Sequence, residues 1–331
     1  MILQIAILAI GLVLLIKGAD MLIESACRLA CMAGISQFIV GLTIVAFGTS
    51  APETAVGIFS ALDGTNLVSL GDVVGSDIAN ILLILGITAL IRPTLVEHSI
   101  LTKDVPFSFV VQIFLAGIVL AFSGIPFWGG IALLGGFVLF LYYVYRRARE
   151  GIIEVEHAVA EVVDDAIHHK KPEEYTEHER RSHVIFKAIV VLLLSLAAIV
   201  FGANLVVTSA ETIAKMIGVS EVIIGLTMVA VGTSLPELVT CVIAALKNDS
   251  DLAVGNIIGS NIYNILLVLG ISATIHPIVT DTSMVVDLLF MLGATLLLFF
   301  LCLRRGIISR FYGLILLAAY GIFLYFEVAV H

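Results

Sequence analysis

The chain has 331 residues, 60% of them hydrophobic and 13% charged, with a mean hydropathy of +1.14. A soluble domain of this length would show amphipathic stripes, not repeated apolar runs near the roughly 20 residues that carry a helix across a bilayer. The formal net charge of −9, of which −4 falls in the one long polar stretch, 147–183, excludes the basic surface that nucleic acid binding requires.

In chain order, the first apolar run, 2–30, has no basic region before it, since the first Lys is Lys17. It reads as a span, not a cleaved signal peptide. Asp20 and Glu24 on it are expected to line an aqueous flank or to pair with Lys17 or Arg28. Cys27 and Cys31 share a face, a spacing that inside an apolar run means packing more often than metal binding. Further helices are predicted over 37–62, 67–91, 103–122 and 127–146. The stretch 147–183 is rich in Glu, His, Lys and Arg and reads as a linker. Its histidines, His157, His168, His169, His178 and His183, are expected to be solvated and not to bind metal. Then come 184–213, which holds Glu211 on an aqueous flank, 220–246, 252–275, 284–303 and 310–328. The predicted fold class is an all-α membrane protein of ten transmembrane helices. With Cys241 and Cys302 there are four cysteines, and their spacing implies no disulfide framework.

The chain repeats itself. GLTIVAFGTSAPE at 41–53 is answered by GLTMVAVGTSLPE at 225–237, and GDVVGSDIANILLILGI at 71–87 by GNIIGSNIYNILLVLGI at 255–271. Each match falls 184 residues on, as from Glu53 to Glu237. The segments are therefore a first repeat, 1–146, the linker 147–183, and a second repeat, 184–331. Five helices per repeat is an odd number, so tandem copies enter the membrane from opposite sides and form an inverted pair, the usual basis of alternating access. Lys and Arg favour cytoplasmic loops. With both termini outside and the linker cytoplasmic, Arg28, Arg92, Lys103, Arg146, Arg147, Arg149, Lys247, Arg304, Arg305 and Arg310 fall inside, and Lys17 and Lys215 fall elsewhere. This places the protein in the cell membrane.

Each repeat carries a carboxylate where a lipid-soluble helix should have none, which marks a functional site by default. In GTSAPE, Gly48 and Pro52 disfavour a regular helix and free carbonyls near Thr49. In hydrocarbon such carbonyls need a partner, and a bound cation would serve. Ser50 and Glu53 share a face, and Thr233, Ser234, Pro236 and Glu237 repeat the set. Ser76 and Asn80, four apart, are matched by Ser260 and Asn264. Brought together, these residues make an all-oxygen site without Cys or His, suited to a hard cation such as Ca²⁺, or to several monovalent ions on the same oxygens. Asp77, about 100° round the helix from Ser76, is assigned a peripheral role. A lone turn of this kind could be a mere kink; its repetition with matched Ser/Asn pairs argues for function. An intramembrane enzyme is disfavoured, because no His or Lys stands near the motif serines to activate a nucleophile.

The paired GTSxPE and GxxxGSxxxN segments closely resemble the alpha repeats of the sodium/calcium exchanger branch of the cation/calcium exchanger superfamily. The resemblance implies two inverted five-helix repeats and an antiporter that exchanges Na⁺ for Ca²⁺ by alternating access, electrogenic and independent of K⁺, working as a monomer in the bilayer with no prosthetic group. It implies Ca²⁺ coordination by Glu53 and Glu237 with the carbonyls of Thr49 and Thr233, and Na⁺ ligation by Ser50, Ser76, Ser234 and Ser260 with the carbonyls of Ala46 and Ala230. Asn80 and Asn264 match the central polar pair. Asn264 stands where some relatives carry Asp, which weakens K⁺ co-transport. Asp77 stands where the motif usually reads Asn, which leaves proton coupling open. The alternatives are a H⁺/Ca²⁺ exchanger on the same scaffold and a passive cation channel.

Overall fold

Uninterrupted apolar sequence with few helix breakers makes long helices, and the computed structural model consists of them; it describes residues 2–33, 35–64, 67–166, 176–217, 232–280, 284–303 and 306–330. The first helix, α1 (Ile2–Ala33), is followed by a chain of short pieces: α2 (Gln37–Val40), a π-helical turn at Gly41–Val45, α3 (Ala46–Thr49) and α4 (Ala51–Leu62). Next come α5 (Leu67–Ala79), a π-helical turn at Asn80–Ile84, α6 (Leu85–Ile91), a further π-helical turn at Ile100–Asp104, α7 (Val105–Phe122), α8 (Phe127–Ala166) and α9 (Thr176–Met216). The second half continues with α10 (Leu235–Leu246), α11 (Ser250–Tyr263), a π-helical turn at Asn264–Leu269, α12 (Gly270–Ile275), α13 (Met284–Cys302) and α14 (Arg310–Val330).

Among the described residues, seven helical stretches are long and apolar enough to cross a bilayer. An eighth is the pair Gln37–Thr49 and Ala51–Leu62, bent by 45°. Leu235–Leu246 and Arg310–Phe326 are shorter apolar helices. The first part of the helix expected over 220–246 lies outside the described residues. The protein is thus an all-helical membrane protein. Within the stretch 147–183, α8 runs on to Ala166 and α9 starts at Thr176, so His157, His178 and His183 sit on helices and not in a loop. His168 and His169 lie outside the described residues. The run 150–166 holds good helix formers and no proline, so hydrogen bonding continues past the apolar segment.

Four two-residue strands tie the halves together. β1 (Thr94–Leu95) pairs antiparallel with β4 (Ile307–Ile308), and β2 (Gly124–Ile125) with β3 (Ile278–Val279). Each ladder joins one strand from before the polar stretch to one from after it.

The burial pattern sets the layers. In Ser250–Ile275, 94% of the apolar window is buried, and in Leu67–Ile91, 72%; the corresponding share in Leu3–Met32 and Ile185–Ala210 is 28%. The α5–α6 and α11–α12 segments are the core, while α1 and α9 pack along each other on the outside. That α1–α9 contact is backbone to backbone in one place, since a Cβ on Gly11 would stand 2.9 Å from the Gly202 carbonyl oxygen. Asp20 on α1 reaches Lys247 at 2.6 Å, not Lys17 or Arg28, because the turn after α10 ends beside α1; Glu24 does pair with Arg28, at 4.0 Å.

Among the described residues, one ion pair is largely buried. Arg147 Nη2 lies 2.7 Å from Asp104 Oδ2, and the Tyr143 hydroxyl donates to Asp104 Oδ1 at 2.7 Å, so α8 is fastened to the π-helical start of α7. Asp104 is fully buried. Removing one partner of such a pair strands the other charge, at a cost of about 3–5 kcal/mol. Asp104→Asn is expected to lower the thermal unfolding midpoint in detergent markedly, and Asp104→Leu with Arg147→Met to recover part of the loss. A midpoint unchanged by Asp104→Asn would show the pair to be incidental.

Candidate ion site

Proline and glycine break both motif helices as their chemistry requires. Ser50 has φ −81°, ψ 14° and Ser234 has φ −82°, ψ 4°, the same non-helical step in each half, and Pro52 and Pro236 stand in the first turn of α4 and α10. Pro52 has no N–H to offer the Gly48 carbonyl. The break is not a complete release. The Ala46 carbonyl still accepts the Ser50 N–H at 3.0 Å and the Thr49 hydroxyl at 3.4 Å, so both of its acceptor directions are engaged. The Ala230 carbonyl lies outside the described residues.

The break places Glu53 and Glu237 in the first turn of the helices that follow, and both are buried, at 1% and 0% exposure. The halves meet at Glu237. Ser50 Oγ of the first motif and Ser260 Oγ of α11 both donate to Glu237 Oε1, at 3.2 and 3.3 Å. The mirror arrangement at Glu53 is not formed: Ser234 Oγ has no hydrogen-bond partner among the described residues, and Ser76 Oγ lies 3.4 Å from the Thr233 hydroxyl.

Around this centre the hydrogen bonds follow the internal repeat. Asn80 Nδ2 donates to Asn261 Oδ1 at 2.9 Å, and Asn264 Nδ2 to Asp77 Oδ1 at 3.2 Å, bonds related by the 184-residue offset. Asn261 Nδ2 also reaches the Asp77 carbonyl at 3.3 Å. Asn80 and Asn264 each open a π-helical turn, a local widening that recurs at functional sites. A second related pair is Thr49 Oγ1 to Asn256 Oδ1 at 3.0 Å and Thr233 Oγ1 to Asp72 Oδ1 at 3.2 Å.

Two placements go beyond the sequence reading. Asp77 is fully buried in the central ring, not peripheral, because the Asn264 amide of the opposite half draws it inward. Asp72 was not singled out at all. The signal was present, since GDVVGSD aligns with GNIIGSN and sets Asp72 against Asn256 and Asp77 against Asn261. Cys27, for its part, donates its S–H to Asp249 Oδ2 at 2.9 Å, a packing contact at the cap of α11.

The charge balance is one-sided. None of the described ion pairs includes Glu53, Asp72, Asp77 or Glu237. Glu53 lies within electrostatic reach of the other three. Acceptor oxygens on Glu53, Asp72, Asp77, Asn80, Ser234, Glu237 and Asn264 are buried with no hydrogen-bond partner. Native proteins leave few such groups; of the eleven atoms of this kind among the described residues these seven, all oxygens, belong to the motif segments, and the other four are Thr88 Oγ1, Gln112 Nε2, Arg147 Nε and Thr240 Oγ1. No three His, Cys, Asp or Glu side chains converge on one metal position among the described residues. A cation held here must therefore draw on hydroxyl, amide and carbonyl oxygens beside the two glutamates, the donor set of a hard ion.

Known proteins share this fold. A solved structure of the sodium-calcium exchanger NCX_Mj, soaked with Na⁺ and Sr²⁺, superposes with a TM-score of 0.80 at 29% identity over 97% of each chain. The sodium/calcium exchanger MaX1 of Methanosarcina acetivorans is 33% identical over 362 aligned positions, 96% of each chain, and CaxA of Alkalimonas amylolytica is 40% identical over 315, 94% of each. Fold and site define a membrane cation antiporter and not an enzyme. The family profile of the sodium/calcium exchanger protein matches residues 3–146 and 187–329, and the chain belongs to that family.

Proposed function

We propose that this protein exchanges Na⁺ for Ca²⁺ across the membrane by alternating access, electrogenically and without K⁺. The observation that carries the reading is the meeting of the two motifs on one carboxylate: Ser50 of the first and Ser260 of the second half both donate to Glu237, with Glu53 buried nearby. In this reading Ca²⁺ sits between Glu53 and Glu237 with the carbonyls of Thr49 and Thr233. Na⁺ uses Ser50, Ser76, Ser234 and Ser260 with the carbonyls of Ala46 and Ala230, and Asn80 and Asn264 face the centre. The unpaired buried oxygens support it, because uncompensated carboxylates in a bilayer cost several kcal/mol each, on the order of 2.5–3.5 by insertion scales. An empty site resists crossing and a filled one passes, which makes the exchange obligatory. The unequal hydrogen bonding of Glu53 and Glu237 supports two inequivalent halves that interchange during the cycle.

The repeat architecture belongs to the same reading: 1–146 and 184–331 as inverted five-helix repeats, ten spans in all, joined by a cytoplasmic segment, 147–183, with both termini outside and the protein working as a monomer in the cell membrane. The matches of one family profile to 3–146 and 187–329, and the strand ladders that join the halves, support it. One net charge per cycle is worth about 2.3 kcal/mol at 100 mV.

With three Na⁺ leaving for each Ca²⁺ that enters, one positive charge leaves per turnover, so in proteoliposomes an outward Na⁺ gradient is expected to drive ⁴⁵Ca²⁺ uptake, accelerated by an inside-positive potential and indifferent to K⁺. Uptake that follows a pH gradient and ignores Na⁺ would assign the scaffold to H⁺/Ca²⁺ exchange. Uptake with no countergradient at all would make it a channel.

A further inference from the structure

The two halves differ in charge at residue 72. Asp72 on α5 and its counterpart Asn256 on α11 hold the motif threonines in the same way, Asp72 Oδ1 accepting from Thr233 and Asn256 Oδ1 from Thr49. Asn256 is fully buried, and its amide is used a second time on Cys241 Sγ, at 3.5 Å. Asp72 is 8% exposed, and its Oδ2 is buried with no hydrogen-bond partner. None of the described ion pairs offsets it. Through Thr233 it is linked to Ser76, and its charge is felt at Glu53. No three His, Cys, Asp or Glu side chains converge on one metal position among the described residues, so the route open to Asp72 is its field.

We propose that Asp72 sets ion selectivity, anchoring Thr233 while its negative charge biases the site toward a divalent over a monovalent cation. The inference rests on the exchange reading above. The physical basis is that an ion's energy in a given potential scales with its charge. Whatever factor the Asp72 charge contributes to the binding of one monovalent ion, it contributes the square of that factor to a divalent one. A purely structural role would weaken both ions alike.

The test is equilibrium ⁴⁵Ca²⁺ binding to purified protein, with Na⁺ displacement, on wild type, Asp72→Asn and Asn256→Asp. An amide at 72 can still accept from Thr233, as Asn256 does from Thr49. Asp72→Asn is expected to raise the half-saturating Ca²⁺ concentration about tenfold and that of Na⁺ about threefold. Asn256→Asp, which adds the charge on the opposite half, is expected to shift both the other way, Ca²⁺ again the more. An unchanged ratio of Ca²⁺ to Na⁺ affinity in Asp72→Asn overturns the proposal. If that variant does not fold, an unchanged ratio in Asn256→Asp overturns it. Transport is scored separately, on wild type. Protein that binds Ca²⁺ but does not exchange it for Na⁺ sinks the antiport reading and leaves the comparison at residue 72 intact.

Discussion

Glu53→Gln and Glu237→Gln, made separately, are each expected to cut Na⁺-driven Ca²⁺ exchange about a hundredfold, the equivalent of roughly 2.7 kcal/mol. Glutamine keeps the volume, and at 237 its amide oxygen can still accept from Ser50 and Ser260. What it removes is charge. The two glutamates are buried, and Glu53 lies within electrostatic reach of Glu237, Asp72 and Asp77. Taking one negative charge out of that group relieves self-repulsion in the ion-free protein. The thermal midpoint in ion-free buffer is therefore expected to rise in both variants, while the further stabilisation that Ca²⁺ gives wild type by mass action is lost. Opposite signs in the two measurements distinguish a ligand from a packing residue. Wild-type exchange in either variant would end the case for that glutamate.

Gly259→Val is expected to destabilise the protein by about 3 kcal/mol, the upper end for overpacking a tight core, and to abolish exchange in whatever protein still folds. A Cβ at 259 would stand 2.5 Å from the Leu42 carbonyl oxygen and 2.6 Å from Ala46 Cβ; at 255 it would stand 2.5 Å from the Phe38 carbonyl oxygen. α11 therefore lies against Phe38–Ala46 with backbone touching backbone, and a carbonyl oxygen cannot rotate away as a side-chain tip can. Forcing the two apart moves Ser50, four residues beyond Ala46, relative to Ser260 and Glu237. Gly117→Ala, where nothing among the described residues lies within 4 Å of the new methyl, is the neutral control. Unfolding midpoints in detergent, read beside ⁴⁵Ca²⁺ uptake, check both. A Gly259→Val protein as stable as wild type would show that the close approach is not required.

Several features of the two motifs follow from local causes. The break at Ser50 and Ser234 follows from Pro52 and Pro236, since a missing N–H acts within one turn. The burial of Glu53 and Glu237 follows from the apolar sequence on either side. The pairing of Ser76 and Asn80 with Ser260 and Asn264 follows from the repeat. Other features were misplaced because their cause is not local. Asp20 meets Lys247 and not its helix neighbours, and Asp77 lies inside because Asn264 of the other half bonds it. Helix continues through 147–166 because hydrogen bonding is indifferent to polarity once a helix has started.

The sequence by itself determined the membrane class, the doubled motif, the broken helices and the presence of one carboxylate in each motif, because hydropathy, proline chemistry and internal repetition all act over short spans of chain or by comparing the chain with itself. Only the tertiary structure decided that Ser50 and Ser260 both serve Glu237, that Asp72 and Asn256 anchor the threonines of opposite halves, and that the environments of Glu53 and Glu237 differ. Those bonds join residues mostly 150 or more positions apart, and their geometry depends on how closely α11 and the first motif can approach, a distance set by glycines whose role appears only when the backbone they touch is known.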